Sequence, residues 1–238
     1  MKKTIEHISV GALETNCWLY PTEDTPPAGG KQSCVIIDPG DDAELIISRL
    51  SEVNWNPRYI LLTHGHFDHV AALPDLLKAY SQAASGSNNE EPPQIGIHRL
   101  DALYLGKDSY TVHRGSITAA SGSSALADAL LKPLPSVLLP EADILFDEGD
   151  LIGPFRVLHV PGHTPGGVGF YDEKAGILFS GDTLFRGTWG RTDLPGGSDQ
   201  QIYQSLKRLL AMDKEIVVCP GHGEMTTIGH ETGLLSSY

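Results

Sequence analysis

Four apolar runs in this chain end alike, in a small or hydroxyl residue followed by histidine or aspartate. They are YILLTHGHFDH (59–69), FRVLHVPGH (155–163), GILFSGD (176–182) and EIVVCPGH (215–222). Short, nearly continuous apolar runs bounded by turn residues read as strands covered on both faces. A polar group placed just past such a strand lies at the sheet edge, where loops converge while the strands stay rigid. The chain is therefore expected to gather His64, His66, Asp68, His69, His163, Asp182 and His222 at one edge of an α/β fold.

Further runs with the same character are TIEHISV, CWLY, CVIIDPG, QIGIH and GVGFY. Helical patterns lie between them: AELIISRL after Asp42, PDLLKAY opened by Pro74, and SDQQIYQSLKRLL with Ser198 as N-cap. In the last, Ile202, Leu206, Leu209 and Leu210 form one apolar stripe, expected to pack on the core. YDEKAG reads as a hairpin turn. His98 heads RLDALYL and is placed to cap it. Residues 84–94 read as a polar surface loop. Residues 107–140 read as a helical and loop excursion over one face, a lid or a solvated insertion, whose Tyr110, His113 and Arg114 are expected as ordinary surface residues, with substrate contact the alternative. No linker divides the chain, so one domain over residues 1–238 is expected.

Three histidines and an aspartate crowd positions 64–69 of a chain with ten histidines in 238 residues. Imidazole and carboxylate together suit zinc, iron or manganese. Five histidines and two aspartates are too many donors for one tetrahedral ion and fit two, each with open coordination. A net charge of −13 offers no basic field to track phosphates, which argues against nucleic-acid binding. No apolar stretch of about 18 residues is present, so no membrane span is expected. Glu6 and His7 interrupt the start where a signal peptide would be apolar. Cys17, Cys34 and Cys219 are an odd set, expected as reduced thiols in a cytoplasmic protein.

THGHFDH resembles the T-H-x-H-x-D-H signature of the metallo-β-lactamase superfamily, and PGHTPGG, SGDTLF and PGHG match its later motifs in order. The resemblance implies an αββα sandwich, two mixed sheets flanked by helices. Within that superfamily the chain is most similar to the glyoxalase II-like hydrolases, in particular the short bacterial members, through GDTLFRGTWGRTDLPGG and PGHGEMTTIG. Carried over, His64, His66 and His163 hold one divalent ion, Asp68, His69 and His222 a second, and Asp182 bridges them, with zinc the first expectation. The implied reaction is hydrolysis of a small-molecule thioester such as S-lactoylglutathione by a hydroxide shared between the ions, with Asp68 able to orient it. Arg191 in the G-R-T-D segment is the candidate substrate contact, against the alternative of a structural salt bridge with a nearby carboxylate. Two-domain relatives bind glutathione partly through a helical domain after the last histidine; here residues 223–238 follow, so much of that surface is expected to be absent. A persulfide dioxygenase with one iron on His64, His163 and Asp182 is the alternative from another reaction class, and a lactonase shares the ligand set. A β-lactamase is disfavoured by Asp182. A monomer or homodimer is expected.

Overall fold

A computed structural model of the protein describes residues 5–22, 30–84, 91–132 and 139–237. Residues 85–90 of the expected polar loop and 133–138 of the excursion lie outside the described residues.

The apolar runs form strands because their side chains alternate between two apolar layers. In β3 (Gln32–Ile37), Cys34 and Ile36 face one layer while Val35 and Ile37 face the other. The same alternation holds in β4 (Trp55–Leu61) and in β10 (Ile177–Gly181), where Ile177 and Phe179 point opposite to Leu178. Strands buried on both faces require a cover on each side, and that requirement generates the layers.

The first sheet runs β1 (Glu6–Val10), β2 (Thr15–Pro21), β3, β4, β5 (Gln94–His98) and β6 (Ile144–Phe146); its first two pairings are antiparallel and its last three parallel. The second runs β14 (Thr226–Thr227), β13 (Val217–Pro220), β10, β9 (Val168–Asp172), β8 (Phe155–His159) and β7 (Leu151–Ile152), with β10 and β13 parallel and the rest antiparallel. A two-strand ribbon, β11 (Leu184–Phe185) with β12 (Thr188–Trp189), follows β10.

Three apolar layers result. Ile46 and Leu50 of α1 (Ala43–Glu52) and Leu73 and Leu76 of α3 (Leu73–Ala84) cover the outer face of the first sheet. Tyr20, Phe146, Phe155, Phe170 and Phe179 fill the space between the sheets. Ile202, Leu206 and Leu209 of α6 (Asp199–Leu210) cover the second sheet. The chain folds as an αββα sandwich. Ser198 caps α6, its Oγ accepting from Gln201 N at 3.3 Å, and Leu210 is packed at the margin of the same layer. YDEKAG turns between β9 and β10, and His98 Nδ1 caps the 3₁₀ segment after β5, accepting from Leu100 N at 3.3 Å.

The shortest strands differ from expectation, while the excursion is helical as expected. β6, β7, β11, β12 and β14 are two or three residues long and were not foreseen, because so short a strand shows no periodicity. The excursion contains α4 (Ser109–Ser121) and α5 (Ser124–Leu130), a helical hairpin stapled by Arg114 to Asp128 at 2.6 and 3.1 Å. Among the described residues no helix is long and apolar enough to cross a membrane. Cys17, Cys34 and Cys219 are buried and unpaired.

Candidate metal centre

Strand direction decides what meets at the edge. β8, β10 and β13 run the same way, and so do β3, β4 and β5, so all six release their chains at one end of the sandwich. β8 leads to His163, β10 to Asp182, β13 to His222, β4 to His64 and His66, and the single-turn α2 (Phe67–Val70) presents Asp68 and His69. β4 itself ends at Leu61, so His64 and His66 converge from a bend rather than from the strand. The sheets are pinned together at this edge by Asn16 N to Gly221 O at 2.7 Å, Asn16 Nδ2 to Pro220 O at 3.0 Å and Val168 N to Thr63 O at 2.8 Å.

All seven residues come together. Ligand atoms of His64, His66 and His163 lie within 4.8 Å of one another, as do those of Asp68, His69 and His222. Asp182 stands between the two groups. Its Oδ1 is 3.5 Å from His69 Nε2, and its Oδ2 is 3.5 Å from both His163 Nε2 and His222 Nε2. Asp68 Oδ2 lies 3.3 Å from His222 Nε2 and accepts from Thr15 Oγ1 at 3.1 Å.

The approach of these groups depends on glycine. A Cβ at Gly221 would stand 2.2 Å from Asp182 Oδ1, and Gly181 turns the chain into Asp182 at a φ of +50°.

The outward ring nitrogens are held by oxygen. His163 Nδ1 is 2.7 Å from Arg191 O, His222 Nδ1 3.1 Å from Leu13 O, His64 Nδ1 3.1 Å from Thr63 Oγ1, and His69 Nδ1 3.0 Å from Asp38 Oδ2. Each such contact orients its ring with the second nitrogen turned inward, the arrangement that metal-binding histidines adopt. His66 Nδ1 faces His163 Nε2 at 2.8 Å, while buried His64 Nε2, His69 Nε2 and Asp182 Oδ1 have no hydrogen-bond partner. Buried polar atoms left in this state are costly, and cations bound by the two donor groups would satisfy these three.

Electrostatics point the same way. Burial and the neighbouring histidines push His64 and His66 well below the ordinary imidazole range, leaving neutral donors. Burial would also lower His69, but Asp68, Asp182 and Asp38 outweigh it and hold the ring up to about 10. Burial would raise Asp68, but His69 and His222 keep it well below the usual carboxylate range. Three carboxylates around one imidazole form a field that a divalent ion would neutralise. The donor set and its orphaned atoms fit metal.

Two supporting aspartates escaped the sequence reading. Asp38, at the end of CVIIDPG, accepts from Thr63 N at 2.7 Å and Thr63 Oγ1 at 2.6 Å in addition to its contact with His69. Asp101 is fully buried and joins the two ligand loops, accepting from Gly65 N, Thr164 Oγ1 and Gly166 N at 3.1, 2.7 and 2.6 Å. For Asp38 the one signal in the sequence was an aspartate directly after an apolar run; Asp101, inside RLDALYL, carried none. Arg191 lines the cavity beside the centre, but its guanidinium is held by Asp193 at 2.6 and 2.7 Å. Of the three excursion residues, His113 lines that cavity; Arg114 and Tyr110 turn to Asp128.

The family model described as the metallo-β-lactamase superfamily matches residues 10–222, the span that contains every one of these donors. The chain belongs to the metallo-β-lactamase superfamily. Among curated proteins it is similar to the hydroxyacylglutathione hydrolase GloC of Haemophilus influenzae, with 32% identity over 95% of this chain and 94% of the relative. Among solved structures it is similar to TTHA1623 in a di-iron-bound form, with a TM-score of 0.72, 34% identity, and coverage of 95% and 96% of the two chains. The BLEG-1 B3 metallo-beta-lactamase gives a TM-score of 0.74 at 30% identity over 96% of each chain. The superfamily's fold and its His/Asp metal-binding groups are both present here.

Proposed function

We propose that the protein is a binuclear metal-dependent hydrolase of small-molecule thioesters of the S-acylglutathione type. The observation that carries this reading is Asp182, one carboxylate within 3.5 Å of nitrogens from both donor groups. His64, His66 and His163 would hold one ion, Asp68, His69 and His222 the other, and Asp182 both. Bound divalent cations lower the pKa of coordinated water to near neutrality and polarise a carbonyl oxygen. The chain's residues do the rest. The oxygen contacts on His64, His69, His163 and His222 hold their rings with the second nitrogen facing inward. Asp68, held ionised beside His69 and His222, can orient the attacking water in addition to serving as a ligand. The leaving thiolate, with a free thiol pKa near 8.5, needs little protonation.

The likeness to GloC supports the thioester substrate, and the filled second donor group favours hydrolysis over one-iron dioxygenase chemistry, which needs only His64, His163 and Asp182. Zinc is our first assignment; iron, present in the TTHA1623 relative, and manganese suit the same donors. The proposed setting is cytoplasmic, as a monomer or homodimer, without nucleic-acid or membrane partners. The test is turnover of S-lactoylglutathione by protein purified without added metal, run beside lactone and β-lactam hydrolysis and oxygen uptake with glutathione persulfide. Thioester hydrolysis without oxygen uptake is expected. Oxygen uptake without hydrolysis, or preference for a lactone or lactam, would overturn the assignment.

A further inference from the structure

A cavity of about 490 Å³ opens onto Asp68, His163, Asp182 and His222. Its remaining walls are mostly apolar: Leu13 from the β1–β2 turn, Phe67, Ile117 of α4, Leu126 and Leu130 of α5, and Leu194 after the G-R-T-D segment. Leu126 and Leu130 are one helical turn apart on α5 and so share a face. Leu13, Leu126 and Leu130 are 66%, 46% and 47% exposed, an unusual placement for leucines grouped around one hollow.

The same cavity is poor in cations. Among its described lining residues Arg191 is the one arginine or lysine, and Asp193 already engages its guanidinium on two edges. A glutathione moiety carries two carboxylates and one ammonium, so this wall suits the apolar acyl end of an S-acylglutathione rather than its thiol end. Burying unpaired carboxylates is costly, whereas burying methylenes against leucine is favourable.

We infer that the α4–α5 wall is an acyl-chain subsite, so that the preferred substrates are thioesters of unbranched aliphatic acids rather than of short polar hydroxy acids. This rests on the thioesterase reading above. The wall is continuous with the metal centre, because Phe67 lies between the donors His66 and Asp68, and Leu13 O accepts from His222 Nδ1. With its carbonyl at the metals, a thioester would have these leucines within reach of its acyl tail. Water adds to the carbonyl carbon, the C–S bond breaks, and the products are a carboxylate, a thiol that takes up one of the water protons, and one proton released to solvent.

The experiment is kcat/KM of the metal-loaded protein for S-acyl N-acetylcysteamine thioesters from acetyl to octanoyl, with S-lactoylglutathione in parallel. The expected result is a rise of about 3–4-fold per added methylene until the cavity is filled. Leu126→Ser and Leu130→Ser should each compress the octanoyl-to-acetyl ratio by about 10-fold, and Leu130→Met should largely keep it. A flat or falling series, with S-lactoylglutathione turned over well, would overturn the acyl-chain subsite and leave the thioesterase standing. No turnover of any thioester would overturn both. Leucine variants that leave the ratio unchanged but lower the mass measured by light scattering would assign the patch to a second copy of the chain instead.

Discussion

Asp38 Oδ1 and Oδ2 accept from the Thr63 amide and hydroxyl at 2.7 and 2.6 Å, and Oδ2 sits 3.0 Å from His69 Nδ1. One buried carboxylate thus aims His69 directly and His64 through Thr63. Asp38→Asn keeps the volume but puts an amide donor where two donors and an imidazole need acceptors. It should weaken metal affinity about 10–100-fold and cost about 1–3 kcal/mol for the donors left unsatisfied. Competition titration against a chromogenic chelator and thermal unfolding of the metal-free protein read the two effects separately; unchanged affinity would show that His69 is aimed by packing alone. The donors themselves were legible because His64, His163, Asp182 and His222 each follow an apolar run and a glycine or threonine, and His66, Asp68 and His69 crowd directly after His64. Asp38 was not, because its role exists only once β3 and β4 pair in parallel and bring it beside Thr63.

At the scale of elements, strand order turns scattered motifs into a site. His163 and His222 are far apart in sequence, yet β8, β10 and β13 share a direction and deliver both beside Asp182. Long apolar runs and amphipathic helices could be read because periodicity is their cause. The two- and three-residue strands could not, since pairing with a neighbour is all that makes them strands. The α4–α5 hairpin was foreseen as helix but not as a cavity wall, because which face it turns inward depends on tertiary contacts. α6 offers a test at this scale. Its cap, Ser198, also donates its own backbone N–H to Gly162 O at 2.8 Å, one residue before His163. Ser198→Ala should cost about 1 kcal/mol and lower the thermal midpoint by about 2–4 °C, with metal content unchanged. Loss of metal would mean that the helix start positions the His163 loop through the hydroxyl as well as the backbone.

For the molecule as a whole, two sheets covered by helices leave one open edge, and the polar residues that the core cannot accommodate are concentrated there. The chain spans nearly the full length of GloC and of TTHA1623, so the comparison with each covers the sandwich and the centre together. On the proposed reading, two donor groups joined by Asp182 hold two ions. Metal content per chain, measured by elemental mass spectrometry on protein purified without added metal, tests it most directly. About two ions in the wild type, falling to one or fewer in Asp182→Ala together with loss of thioester turnover, is the predicted result. A single ion per chain in the wild type, with a count unaffected by His222→Ala, would contradict it.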